Sequence, residues 1–392
     1  MPIDILRPED LKELTEECEE TCVSIYIPTE QLGKAVEKNP VRLKNQLAEA
    51  EEQLTDMGLR PPEAKELLEP AYQLLPDDGF WQLQSDGFGL FISSDAFRFY
   101  RLPYSFDAMT VVADRFHLKP ILPVLSTGTR FFVLQLSQGE IELLQGTRYG
   151  VSEIDLEEAP DSLSQALRFE DPERKLQFHT TTQTPGGRGD RPAVFHGQGV
   201  ASDDDPKQKI LRYFHRVDAG VTNFLDGQDA PLVLAGVDYL HPLYQEANTY
   251  PHLVDEGIVG NPEEISPEEI HQRAWEIVHP LFLEAQEEAA AKFRQFIGSG
   301  NELGTDELAE VVPAAVYGRV HTLFVARDLQ RWGTFDRETG EVQVHEEQEA
   351  EDVDLLDLAA VHTFLNSGAV YVVDAGNVPG DAPVAALLHY ER

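Results

Sequence analysis

The chain has 392 residues, of which 42% are apolar, enough for two or three domains that each have a core. Its 70 acidic residues outnumber its 31 basic ones, and the net charge of −39 argues against DNA binding and, at ordinary ionic strength, against nucleic acids in general. A salt-rich cytoplasm weakens that exclusion, because the Debye length falls to about 3 Å at 1 M. Charge alone therefore leaves a halophilic and a mesophilic interpretation open.

The first residues and the cysteines lead us to expect a cytoplasmic protein. The first residues, MPIDILRPEDLKEL, lack a basic start followed by an apolar run, so we expect no signal peptide. No run of about 18 apolar residues is present, so we expect no membrane partner. Cys18 and Cys22 lie four residues apart in an acidic stretch. This spacing fits neither a disulfide framework nor a zinc knuckle, and it suits a reducing compartment.

The first 120 residues predict an α+β domain. Alternating Val23, Ile25 and Ile27 predict a strand that Pro28 ends. The predicted elements are, in order, a helix within 1–20, a strand over 22–29, helices over 39–58 and 61–75, and three strands between residues 80 and 103.

Residues 121–262 predict an α/β domain. Two long strands over 130–156 form a hairpin that turns at Gln138-Gly139. Asp205 and Pro206 are typical of the N-cap and first position of a helix. The apolar run 231–237 predicts a strand buried on both faces, and a short helix follows from Asp238.

Between the hairpin and that helix lies a glycine- and proline-rich segment, residues 183–209. Its tip reads His196-Gly197-Gln198-Gly199, and Arg188 and Arg191 lie within it. Glycine permits positive φ and close backbone approach, which suits a mobile finger that enters a polyanionic crevice. The alternative is a disordered surface loop.

The helix that follows the finger has two predicted faces. Ile210, Phe214, Val217, Val221 and Phe224 recur at helical spacing and predict a buried face. Lys209, Arg212 and Arg216 recur on another face. These three cations form either a solvated surface or a phosphate contact, and the pattern leaves both open.

The last domain, 263–392, predicts an α/β/α unit with a leading long helix. Ser266-Pro267-Glu268-Glu269 opens this helix, which reaches Gly298 with a kink expected at Pro280. The further predictions are helices over 305–317 and 354–368, strands over 320–326, 369–374 and 383–391, and a solvated acidic loop over 345–354.

The sequence gives no support for cofactor or metal chemistry. It contains no HExxH motif, no Walker loop and no dinucleotide fingerprint. His196 is a formal candidate for a general base, but no Ser, Cys or Asp partner follows at a recognisable spacing. Asp203 to Asp205 are better explained as helix-capping charge. We therefore expect no cofactor.

Three segments together resemble the archaeo-eukaryotic class-1 peptide-chain release factor and Pelota-like superfamily, in particular its bacterial branch. They are SIYIPTEQLGKAVEKNPVRLKNQL, HGQGVASDDDPKQKILRYFHRVDAGV, and GRVHTLFVARDLQRWG with the ending GDAPVAALLHY. The resemblance implies a decoding-like first domain, a ribonuclease-H-like middle domain with a Gly-Gln loop, and a last domain similar to the archaeal kink-turn-binding ribosomal protein.

The resemblance also assigns roles to residues. The family's Gly-Gly-Gln tip positions water against the peptidyl-tRNA ester, and the matching positions are His196, Gly197 and Gln198, with histidine in place of the first glycine. The family's stop-codon loop matches at Asn39-Pro40-Val41-Arg42, with Lys44 beyond, but lacks its Ile and Lys, so we do not expect decoding. The rRNA contacts expected are Arg188, Arg191, Lys209, Arg212, Arg216, Arg42 and Lys44.

Two functions follow as expectations. One is a tRNA-mimicking, ribosome-binding translation factor that either hydrolyses peptidyl-tRNA in rescue or occupies the A site of idle ribosomes in hibernation; a translational GTPase is an open partner. The other is a cytosolic protein-binding adaptor of the same fold without ribosome contact or catalysis.

Overall fold

The computed structural model describes residues 6, 8–17, 21–31, 33–125, 130–137, 141–154, 156, 206–349 and 352–389. The chain divides into two compact units, residues 1–129 with 282–392, and residues 130–281. The mixed α/β class is confirmed. The proposed first and last domains contribute to one unit, and the domain boundaries at 120 and 262 stay a prediction.

The N-terminal segment of the first unit is an antiparallel sheet with the strand order β3-β2-β1-β4 and helices against it. Its elements are α1 (Pro8–Glu16), β1 (Cys22–Pro28), α2 (Lys38–Asp56), α3 (Pro61–Tyr72), α4 (Asp78–Gln82), β2 (Gly87–Ile92), β3 (Phe97–Leu102), β4 (Met109–Ala113) and α5 (Leu122–Leu125).

Strand β1 is buried along its length because both faces of the sheet are covered. Val23, Ile25 and Ile27 pack in a cluster with Leu43 and Leu47 of α2. Cys22 and Tyr26, whose side chains lie on the opposite face of the strand, belong to a second cluster. The apolar alternation therefore predicted the strand correctly but only one of its two buried faces.

Two expectations for this segment are wrong. The strand predicted from residue 80 begins as the short helix α4, because Asp77 Oδ1 accepts a hydrogen bond from Phe80 N at 2.9 Å and caps the turn. Cys22 takes part in a disulfide, which the four-residue spacing did not indicate. Cys18 lies outside the described residues.

The second unit is built on the five-stranded sheet β7-β6-β5-β8-β9. Its elements are β5 (Phe131–Leu136), β6 (Ile141–Thr147), β7 (Gly150–Ile154), α6 (Pro206–Phe224), β8 (Leu232–Gly236), α7 (His241–Ala247), β9 (Ile258–Val259) and the first part of α8 (Pro267–Ser299). β5 and β6 form the predicted antiparallel pair, while β5, β8 and β9 run parallel. The burial of all of β8 confirms the strand predicted from its apolar run.

The C-terminal segment completes the first unit with the mixed sheet β10-β16-β11-β15 and a small sheet, β13-β12-β14. After α8 its elements are β10 (Gly304–Thr305), α9 (Leu308–Val316), β11 (Val320–Ala326), β12 (Trp332–Phe335), β13 (Val342–Val344), β14 (Val353–Asp354), α10 (Leu355–Leu365), β15 (Ala369–Val373) and β16 (Val384–Leu388).

The acidic run at 345–354 is not a solvated loop throughout, which corrects the sequence-based expectation. Asp352 and Asp354 are buried at its end. Asp352 accepts a hydrogen bond from Glu349 N at 2.9 Å and lies 2.8 Å from His345 Nδ1. The carboxylate tolerates burial because its oxygens are satisfied, and it raises the pKa of His345 through that hydrogen bond.

Candidate functional site

The proposed finger lies outside the described residues. This applies to His196, Gly197 and Gln198 at the tip and to Arg188 and Arg191. The described chain before it stops at Leu156, which packs against the core of the second unit, and resumes at Pro206, the first residue of α6. The catalytic assignments at the tip therefore stay predictions.

Helix α6 divides into the two faces that its sequence predicts. Ile210, Phe214, Val217 and Val221 are buried in the core of the second unit, and Tyr213 joins them. Phe224, expected among them, is 38% exposed, although its ring lies in a T-shaped arrangement with the ring of Phe132. The helix is thus fixed by its apolar face.

The three basic side chains of α6 lie away from this core. Lys209 is half-buried, while Arg212 and Arg216 are exposed. None of the three is without an interaction partner. The structure therefore brings these predicted phosphate contacts together on one helix face directly after the finger segment, and leaves their role in binding untested.

A buried carboxylate on α6 is the feature that sequence patterns missed in this unit. Asp218 is 3% exposed and accepts hydrogen bonds from Thr249 N at 3.0 Å and Thr249 Oγ1 at 2.7 Å. Burial and the charge of Asp218 raise the pKa of the Tyr244 phenol, whose ring packs edge-on against Phe214. Asp218 therefore ties α6 to the loop that follows α7.

The first unit holds the other two predicted RNA contacts. Arg42 donates to the Pro28 carbonyl at 2.9 Å and to Glu30 Oε1 at 3.2 Å. Asn39 is buried and exchanges two hydrogen bonds of 2.9 Å with the main chain of Glu30. Both side chains thus fasten the end of β1 to the start of α2. Lys44 is exposed on the same helix.

A second buried polar cluster joins the two segments of the first unit. Asp357 Oδ1 accepts from the main-chain amides of Leu118, at 2.7 Å, and of Lys119. Lys119 Nζ lies 3.1 Å from Asp354 Oδ2 and donates to the Leu329 carbonyl at 2.5 Å. No motif could reveal this cluster, because its partners are more than 200 residues apart in the chain.

Burial dominates the ionisation of this cluster. It lowers the pKa of His117, whose Nδ1 lies 3.5 Å from Asp357 Oδ1, although the nearby carboxylates oppose the change. It raises the pKa of Asp357, which His117 and the hydrogen bonds oppose. The cluster is a structural clamp, because Asp357 and Lys119 join the two segments, although the buried His117 Nε2 has no hydrogen-bond partner among the described residues.

Neither metal binding nor membrane insertion is indicated in the described part of the chain. No group of three or more His, Cys, Asp or Glu side chains there could hold a metal ion. Among the helices described, none is long and apolar enough to cross a bilayer.

The described residues form a mixed α/β protein whose second unit carries a basic helix face. Residues 131–280 match the model of bacterial archaeo-eukaryotic release factor family 7. This match places the middle segment in the bacterial branch of the archaeo-eukaryotic release factor superfamily and confirms the resemblance seen in the sequence. A search of curated proteins finds no match.

Solved structures are similar at low identity. The archaeal translation termination factor aRF1 is 14% identical, with 98% of this chain and 99% of that chain covered and a TM-score of 0.25. Pelota in a model of ribosome-bound archaeal Pelota and ABCE1 is 13% identical, with 98% of this chain and 94% of that chain covered and a TM-score of 0.36. Archaeoglobus fulgidus Pelota is 13% identical, with 99% of this chain and 94% of that chain covered and a TM-score of 0.27. These TM-scores are too low to assign individual positions in this chain.

Proposed function

We propose that the protein is a ribosome-associated factor that directs its Gly-Gln finger at the peptidyl-transferase centre. The release factor family match over residues 131–280 carries this proposal, because that segment contains both the finger and α6. The exposed cations of α6 follow the finger within about three helical turns. Phosphate contacts there would position the finger without reading any sequence.

One residue at the tip of the finger favours occupation of the A site over hydrolysis of peptidyl-tRNA. His196 stands where the superfamily's tip has its first glycine, and its Cβ restricts the backbone next to Gln198. Gln198 keeps an amide that can both donate and accept. A silent tip that blocks idle ribosomes fits this combination, and peptidyl-tRNA hydrolysis with Gln198 orienting water is the second candidate.

Co-sedimentation with purified ribosomes at several potassium concentrations tests binding. We expect the full chain to pellet with ribosomes, and the double variant Arg212→Gln/Arg216→Gln to pellet less and with a shallower salt dependence. Arg273→Gln, an exposed arginine of α8 paired with Glu269, is the matched control. A protein that stays in the top fractions at every salt concentration favours the adaptor alternative.

Hydrolysis is tested on the same complexes. Peptidyl-tRNA release is compared between the unmodified chain and Gln198→Ala. Equal rates at background level support occupation alone. A rate above background that the substitution abolishes assigns catalysis to Gln198 and rejects the silent tip.

A further inference from the structure

A pocket of about 350 Å³ lies at one end of the small sheet of the first unit, where β12 begins and β13 ends. Its lining residues are Gln330, Arg331, Trp332, Val344, His345 and Glu346. His345 N donates to the Trp332 carbonyl at 2.9 Å and extends the pairing of the two strands to the pocket. A volume of this size is typical of sites for small molecules, which range from about 300 to 1,000 Å³.

Trp332 gives the pocket an aromatic ring that the described fold does not use elsewhere. It is half-buried and pairs with Asp354 of β14. Among the residues that the structure describes, no aromatic ring packs against its indole and its Nε1 has no hydrogen-bond acceptor. Trp81, by contrast, is buried, and Trp275 stacks on His279 at 5.1 Å. A tryptophan in this position offers a surface on which a flat ring can stack.

Arg331 adds a positive charge to the same pocket. Its main-chain N donates to Asp354 Oδ1 at 3.0 Å, and its Nη1 donates to the Gln330 carbonyl at 2.9 Å. In the described part of the chain, Nε and Nη2 have no acceptor, and no Asp or Glu oxygen lies within 4.0 Å of the guanidinium group. This half-buried arginine of a strongly acidic chain can therefore bind an anionic ligand.

His345 is held in one orientation by a buried carboxylate. Its Nδ1 lies 2.8 Å and 2.9 Å from the two oxygens of Asp352, whose side chain is 1% exposed. The hydrogen bond places a proton on Nδ1 and raises the pKa of His345. Nε2 is thus the ring nitrogen that can contact a ligand, and it donates when the ring is protonated.

We propose that this pocket binds a nucleotide. The base stacks on Trp332, and the phosphate accepts hydrogen bonds from Arg331 and from Nε2 of protonated His345. The exposed carboxylate of Glu346 can only accept hydrogen bonds, which suits an N–H group of the base. Stacking does not depend on charge, so it persists at high ionic strength in a chain with a net charge of −39.

The nucleotide is either a free mononucleotide or one residue of a single-stranded RNA, because both present a base and a phosphate. The site depends on neither the finger nor α6, so a failure of the proposed ribosome binding would leave it in place.

The test follows the indole N–H signals of the three tryptophans of the full chain by NMR at constant ionic strength. Trp332→Phe assigns the Trp332 signal. The ligands are AMP, adenosine, inorganic phosphate and a short single-stranded RNA. We expect AMP or the RNA to shift the Trp332 signal at lower concentrations than phosphate does, while the signals of Trp81 and Trp275 stay in place. Tighter binding of AMP identifies the free nucleotide, and tighter binding of the RNA identifies the polymer.

Arg331→Gln should weaken AMP binding about tenfold, since it removes charge-assisted hydrogen bonds, and should leave the response to adenosine unchanged because adenosine has no phosphate. The variant keeps the main-chain hydrogen bond to Asp354. Trp332→Leu should weaken the binding of both ligands, measured by calorimetry. Arg327→Gln, an exposed arginine paired with Asp374, is the control with the same charge change.

Three results overturn the proposal. They are a Trp332 signal that neither AMP nor the RNA moves, phosphate binding as tight as AMP binding, and equal AMP affinities for Arg331→Gln and Arg327→Gln.

Discussion

Lys119 Nζ lies 3.1 Å from Asp354 Oδ2, with both side chains only 1% exposed. Asp354 also accepts hydrogen bonds from Arg331 N at 3.0 Å and from Leu356 N at 3.1 Å, which caps α10. The pair therefore connects the strand-to-helix corner of the C-terminal segment with the end of the N-terminal one. Because both side chains are buried, the removal of either charge would leave the other buried without a compensating charge.

Replacement of Lys119 by methionine should destabilise the first unit. The substitution keeps the length of the side chain but leaves Asp354 as an uncompensated buried charge, which typically costs about 3–5 kcal/mol. Urea unfolding followed by amide hydrogen exchange, which separates the two units, measures the change. Lys65→Met is the control, because Lys65 is 65% exposed and its pair with Glu51 should contribute no more than about 1 kcal/mol.

Periodicity predicted the helices whose apolar face meets a single sheet. Leu43, Leu47 and Leu54 of α2 are buried at helical spacing, as are Phe214 and Val217 of α6. Such patterns are local, because burial on one side of a helix imposes a repeat of 3.6 residues. The same periodicity predicted the face that carries Lys209, Arg212 and Arg216, because these residues lie on the side of α6 opposite the buried one.

Features that depend on distant partners could not be predicted. In the sequence Asp354 is the last residue of an acidic run, but its partner Lys119 is 235 residues away. Arg115 and His362 belong to different segments, and no spacing in the sequence brings them together. The short helix α4 was missed for a local reason, since the cap at Asp77 outweighed the strand preference of the aromatic residues after it.

Asp218→Asn should loosen α6. The carboxylate accepts two hydrogen bonds from Thr249, and an amide in its place can accept with one oxygen only. We expect a loss of about 1–3 kcal/mol in the free energy of unfolding of the second unit. Asp226→Asn, at an exposed position just beyond α6, should change stability by no more than about 0.5 kcal/mol. Similar losses for both variants would show that Asp218 does not hold the helix.

Gly333→Ala should disrupt the small sheet. A Cβ atom at this position of β12 would lie 2.0 Å from the carbonyl oxygen of Gln343 on the paired strand, so the backbone itself has to move. We expect a loss of at least about 2 kcal/mol and faster hydrogen exchange in β13. Gly376→Ala is the matched control, since nothing lies within 4 Å of the added atom. Unchanged exchange in β13 would contradict the expected clash.

The last prediction concerns pH. Burial, with help from Arg115 and Arg337, lowers the pKa of His362 from 6.5 to about 4. The unfolded chain therefore binds more protons than the folded one between these values, so stability falls as pH drops from 6.5 towards 4. At pH 5 we expect His362→Gln to recover about 1 kcal/mol of this loss, after allowance for solvent screening. Urea midpoints at pH 7 and pH 5 measure it, with His215→Gln, exposed on α6, as the control. An identical pH dependence in all three proteins would mean that His362 titrates normally.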